Sequence, residues 1–110
     1  MSANGDANAD GLAAIRALLA SESVVDVERA QTLALAAMAT TPAARPLAAC
    51  AFDRLRMLAG RPQKFGTQVV VREGRRVLWE CEAATTDSER AKWGLPSHAE
   101  LLRAVDAPKP

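Results

Sequence analysis

Aromatic residues make up only 4% of this sequence of 110 residues, histidine occurs once and cysteine twice, and Lys+Arg 14 against Asp+Glu 13 leaves a formal net charge of +1. Each shortage narrows the field. A charge so close to zero leaves no electrostatic footprint for nucleic acid or an anionic membrane surface, so neither is expected as a partner. His98 stands alone, and Cys50 and Cys81 lack the paired spacing of a metal site, so neither a metal nor another cofactor is expected. The opening MSANGDANAD has no basic segment ahead of an apolar stretch, and no run approaches the ~20 apolar residues of a membrane span. That points to the cytoplasm and to reduced thiols, with Cys50 a small core residue. A Gly-rich phosphate loop, a nucleophile elbow and a metal-type His pair are also missing, so the sequence leaves open whether the chain is an enzyme.

What is present is alanine. The hydrophobic fraction is 49%, much of it alanine, which predicts a thin, helix-packed core within one domain. Residues 1–9 read as a disordered lead-in, 10–105 as a single α+β domain and 106–110 as a frayed tail. Asp10 can cap a first helix carrying Leu12, Ile15, Leu18 and Leu19. Ser23 and Asp26 have the spacing of a capping box for a second, whose face holds Val24, Val27, Ala34, Leu35 and Met38. Pro46 suits the first position of a third, which ends at Gly60; Asp53, Arg54 and Arg56 read as its solvated side.

From Thr67 the period becomes two. TQVVVRE (67–73) and RVLWEC (76–81) flank Gly74 and predict a β-hairpin. A type II′ turn at Gly74 and Arg75 sets Glu73 opposite Arg76, Val71 opposite Leu78, Val70 opposite Trp79 and Gln68 opposite Cys81. Gln68 then lies at the edge of an apolar face, where its amide either pins the preceding turn or points into a pocket. A short helix follows from Asp87, and Ser97 with Glu100 forms a capping box for the last helix, with His98 in its first turn. The fold class is therefore α+β: N-terminal helices packed on a two-stranded antiparallel hairpin, then short C-terminal helices.

A hairpin brings its two ends together, so the segment before Thr67 and the segment after Cys81 should lie side by side. Gln63, Thr67, Gln68, Asp87 and Arg90 are the candidate site on that ground. Arg90 offers a planar fork of donors, Asp87 can hold that fork, and the two glutamines can donate and accept. Such a set suits a carboxylate, a phosphate or a peptide backbone, and it suits an internal clasp equally well.

The run Pro62, Gln63, Phe65, Gly66, Thr67, Gln68, preceded by Asp53 and Arg54 and followed by Asp87, Arg90, Gly94, Leu95 and Pro96, resembles the second half of the bacterial domain-of-unknown-function family 6624. The resemblance covers roughly Ala48 to Leu102. The His-Ala-Asp-like element pictured ahead of this region in that family has no counterpart, since no histidine precedes His98. The family implies no established activity. Three expectations follow: a binding or protein-interaction module for a small anionic ligand or a protein partner; a small hydrolase or transferase with Asp87 or His98 as base and Gln68 and Arg90 as donors; or a homo-oligomer formed through the alanine-rich helices.

Overall fold

Small side chains let helices approach closely, and the first half of the chain is built on that property. The structure, a computed structural model, describes residues 3–106, with side chains from residue 9 onward. Three helices come first, α1 (Ala3–Leu19), α2 (Val24–Ala37) and α3 (Ala44–Leu58), then the strands β1 (Val69–Arg72) and β2 (Arg75–Leu78), then α4 (Asp87–Lys92) and α5 (His98–Asp106). The core joins Ile15 and Leu19 of α1 to Val27, Ala30 and Ala34 of α2 and Ala48 and Ala51 of α3, with Leu12, Leu47, Leu55 and Trp93 around it. Alanine on both α2 and α3 leaves backbone contact where larger side chains would hold the helices apart. This is the α+β arrangement that the sequence predicts.

Helix boundaries differ from expectation in instructive ways. α1 already runs through Ala3–Ala9, so Asp10 lies inside it and is no cap; alanines interspersed among the small polar residues keep the helical conformation accessible. Residues 1–2 of the expected lead-in and 107–110 of the expected tail lie outside the described residues. α3 starts at Ala44, making Pro46 its third residue, where the missing N–H is still one of the four that have no partner within the helix. On α2, Val24 and Leu35 are exposed, and the buried face runs Val27, Ala30, Ala34. Ser23 makes no side-chain cap, because Ser21 takes over the turn: its hydroxyl donates to Asp26 at 2.7 Å and accepts from the Ser23 N–H at 2.9 Å. Gly60, at φ 72, and the Ser97–Glu100 capping box fall where expected.

The hairpin forms in a different register. Val69 faces Leu78, Val70 faces Val77, Val71 faces Arg76 and Arg72 faces Arg75. Its turn is Glu73-Gly74, with φ 53 and 76, the pair of positive values that defines type I′. Gly74 is thus the second central residue instead of the first. The register slips by two, which leaves every side chain on its expected face but abolishes the Glu73–Arg76 pairing. The strands are also shorter than 67–73 and 76–81. Thr67 gives its N–H to Asp53 and Gln68 gives its N–H to the Gln63 side chain, so neither N–H feeds the ladder and Gln68 joins it only through its carbonyl, while Cys81 bridges Gln63 in parallel instead.

Glu73 holds the left-handed conformation with an L side chain, and its carboxylate makes no hydrogen bond or ion pair among the described residues, whereas Asn adopts this conformation readily. Glu73→Asn should stabilise the fold by about 0.5 kcal/mol, part of the usual left-handed penalty. Thermal unfolding followed by circular dichroism checks this, and a lowered midpoint would contradict the turn assignment.

Candidate functional site

The connection from α3 to β1 is held by one carboxylate. Asp53, completely buried, accepts the Lys64 N–H at 2.8 Å and the Phe65 N–H at 2.9 Å on Oδ1, and the Thr67 N–H at 3.0 Å and Thr67 hydroxyl at 2.7 Å on Oδ2. Four donors replace the water that an ionised carboxylate would lose on burial. The solvated helix side expected for Asp53, Arg54 and Arg56 is therefore wrong for all three. Arg54 donates through Nε and Nη2 to the Ser21 carbonyl, tying α3 to the α1–α2 turn. Arg56 donates to the Pro62 carbonyl and pairs with Glu82.

The sequence around Asp53 explains why the loop closes as it does. Gly66 sits at φ 93, and a Cβ there would lie 3.0 Å from Leu101 Cδ1. The positive φ calls for glycine, and a Cβ would in addition crowd the end of the Leu101 side chain. Phe65, next to it, packs edge-on to Phe52 at 5.9 Å and tilted to Trp93 at 5.6 Å, joining the loop to α3 and α4.

Gln63 completes the loop from the other side. Its amide behaves as a piece of β-strand: Oε1 accepts the Gln68 N–H at 2.8 Å, and Nε2 donates to the Gln68 carbonyl at 3.0 Å and the Trp79 carbonyl at 2.7 Å. Its main chain also pairs with the strand end, accepting from Glu82 and donating to Glu80, both at 2.8 Å. Gln68 turns its own amide toward α3. Nε2 donates to the Thr67 hydroxyl at 3.1 Å and reaches the Cys50 thiol at 3.3 Å, while Oε1 accepts from Arg54 at 3.4 Å. Burial pushes the Cys50 thiol up, outweighing these hydrogen bonds, so it remains protonated at neutral pH.

Asp87 and Arg90 belong to a second cluster. Arg90 is only 3% exposed. Its Nε donates to the Phe65 carbonyl at 3.0 Å, and Nη1 donates to the Thr85 carbonyl at 3.2 Å and to Asp87 Oδ1 at 3.0 Å. Asp87 Oδ1 also accepts the His98 N–H at 2.9 Å, linking α4 to α5. That N–H, with Arg90 beside it, holds the Asp87 carboxyl below the usual carboxylate range. Thr86 caps α4 by accepting the Glu89 N–H at 3.1 Å.

Of the five candidate residues, then, Asp87 and Arg90 meet, and with Cys81, Ala83, Thr86 and His98 they line a cleft of ≈ 480 Å³. Gln63, Thr67 and Gln68 do not line it. They form the loop network, and only the Phe65 carbonyl connects that network to Arg90. Within the cleft the Cys81 thiol donates to the Trp79 carbonyl at 3.4 Å and is pushed up by burial, so it too stays a thiol. Among the described residues no three of His, Cys, Asp and Glu gather closely enough to hold a metal ion, and no helix is long and apolar enough to cross a membrane. Compared with known protein families, curated proteins and solved structures, the chain matches none.

Asp53→Asn places an N–H₂ against backbone donors and should cost about 3 kcal/mol, the penalty of buried unpaired groups; urea unfolding measures it. Asp87→Asn should leave the neutral-pH midpoint nearly unchanged because that side chain is open to water. Its contribution has a defined sign. A depressed carboxylate stabilises fully above its unfolded value and loses that stabilisation as pH falls through its folded value. The small difference between Asp87→Asn and the parent chain should therefore close in acid, as thermal midpoints recorded across the acid range will test.

Proposed function

We propose that the chain is a small cytoplasmic binding or protein-interaction module whose cleft beside the hairpin holds a ligand by a carboxylate or a main-chain carbonyl, at the free edge of Arg90. One observation carries this. Nε and Nη1 of Arg90 are committed to protein acceptors, while Nη2 meets no acceptor among the described residues. Every fully buried side-chain nitrogen and oxygen among them has a partner, so the uncommitted Nη2 must retain solvent, and Arg90 lines the cleft. A guanidinium already fixed in place presents its remaining donors without further ordering.

In this proposal Gln63, Thr67 and Gln68 serve the site indirectly, by fixing the loop whose Phe65 carbonyl positions Arg90. The resemblance to family 6624 is then one of scaffold, carried by Asp53, the Gly-Thr-Gln run and Arg90. A catalytic version is less well supported, because Gln68, the expected electrophilic donor, directs its amide at Cys50 and Thr67 and lies outside the cleft that Asp87 and His98 line.

Titration with N-acetylglycinate, acetate and inorganic phosphate, followed by amide and arginine side-chain NMR, tests the proposal. Saturable shifts at Thr86, Arg90 and His98 with N-acetylglycinate are expected. Ala83 is an exposed residue on the cleft wall, and Ala83→Arg should abolish those shifts at an unchanged melting temperature. Shifts that fail to saturate with all three probes, or that survive Ala83→Arg, would refute it.

A further inference from the structure

Among the described residues the β1 side of the hairpin has an unused edge. The Trp79 N–H donates to the Gln68 carbonyl at 3.0 Å, and Val70 and Arg72 face Val77 and Arg75. Even-numbered positions of β1 therefore direct their main-chain groups at β2, and Val69 and Val71 direct theirs away from it. Among the described residues the sheet contains only β1 and β2, and no main-chain or side-chain partner meets the N–H or carbonyl of Val69 or Val71. Their side chains are 42% and 69% exposed. An open β-branched edge without Pro, Lys or a bulge is a template for another strand.

We infer that β1 pairs antiparallel with β1 of a second copy, about a two-fold axis through Val70, to form a four-stranded sheet. The geometry selects this occupant and this register. With the axis at Val70, Val69 of one copy faces Val71 of the other, and each such pair exchanges two N–H to carbonyl hydrogen bonds. All four outward groups of each copy are thereby used and none is left over. The side chains agree. Leu78, Val69 and the partner copy's Val71 fall in one row, so that two separate exposed valines become part of a continuous apolar strip. An axis at Val69 would set Val71 against Thr67, whose N–H is held by Asp53, and an axis at Val71 would set Val69 against Glu73, which lies in the turn, so each leaves main-chain groups unmatched; an axis at Arg72 sets that residue against its own copy, as does a parallel in-register pairing. In the Val70 register Arg72 faces the uncharged Gln68.

Sedimentation velocity of the full chain over a concentration series tests the pairing. The parent chain should move reversibly from monomer to dimer. Val71→Pro removes an N–H that the hairpin does not use, and Pro is tolerated at edge positions of this kind. It should yield a monomer that retains the Trp79 Nε1 proton resonance, the indole being bonded to the Arg61 carbonyl at 2.8 Å. Two charge variants keep every main-chain donor and test the register even if the proline variant misfolds. Val69→Lys with Val71→Lys places like charges opposite each other and should give a monomer, whereas Val69→Lys with Val71→Glu should restore the dimer. A parent chain that stays monomeric at every concentration, a folded Val71→Pro variant that still dimerises, or equal dissociation of the two charge variants would overturn the inference.

Discussion

A buried carboxylate without water must find donors or give up its charge, and here the donors are the backbone of a loop. Asp53 stands in the second half of α3 and gathers three loop amides and one hydroxyl onto its two oxygens. The N–H groups of Lys64, Phe65 and Thr67 face neither helix nor strand partners, and Asp53 satisfies all three. The same four bonds fix where the first strand begins, because Thr67 is held to the helix and the pairing with β2 starts only beyond it, at the Gln68 carbonyl. The helical half and the β half are joined through this group. Arg54, the next residue in sequence, extends the attachment to the α1–α2 turn by its two bonds to the Ser21 carbonyl. Charged hydrogen bonds are stronger than neutral ones, which matters in a protein whose alanine core offers little area per side chain.

The consequences travel outward through Phe65. Its N–H is held by Asp53, its ring lies between Phe52 and Trp93, and its carbonyl receives Arg90. Fixing one residue thus fixes the loop, the aromatic contact with α4 and the orientation of a guanidinium that α4 supplies. Arg90 bonds Thr85 and Asp87 in turn, and Asp87 receives the amide that begins α5. The bonds to Asp53, Phe65 and Thr85 satisfy buried groups that would otherwise be costly, whereas those to Asp87 lie at the water-exposed end of the chain of contacts. Among the described residues Arg90 Nη2 meets no acceptor, and Arg90 lines the cleft.

How much of this was legible follows from which signals are local. The helices, the hairpin, Gly60 as a helix terminator and the Ser97–Glu100 box were readable because periodicity and capping act over a few residues. The register was misread because Gly74 fits either central position of a two-residue turn, and sequence alone does not say whether Glu73 will accept a positive φ. Proximity of the two hairpin ends was foreseen, and it did bring the loop and α4 together. What spacing could not tell is which way each polar side chain points across that join. Gln63 and Gln68 turned inward, and Arg90 joined both sides. Asp53 left a faint trace: it falls four residues after Ala49, on the same helix face as a fully buried alanine. A carboxylate in line with buried alanines, just ahead of a Gly-containing loop rich in unpaired amides, is a sign of an internal anion site more than of a solvated helix face.

The two readings that the sequence left open, clasp and site, are compatible for Arg90 because a guanidinium has more donors than the clasp consumes. Nε and Nη1 serve the fold and Nη2 is left over. A lysine at this position would exhaust the comparison at once: a single ammonium on a flexible stem could not bond the Phe65 and Thr85 carbonyls in fixed directions and still present a defined edge to the cleft. The structural bonds also remove the cost that usually weakens recognition by long charged side chains, since the rotamer freedom of Arg90 is lost on folding instead of on binding. Asp87 tempers the charge without occupying the free edge, because its contact is to Nη1. In the proposed site the Asp87 and Glu82 carboxylates share the cleft lining with Arg90, so a dianion would meet like charge there, and a monocarboxylate or a peptide carbonyl is the ligand we propose for this edge.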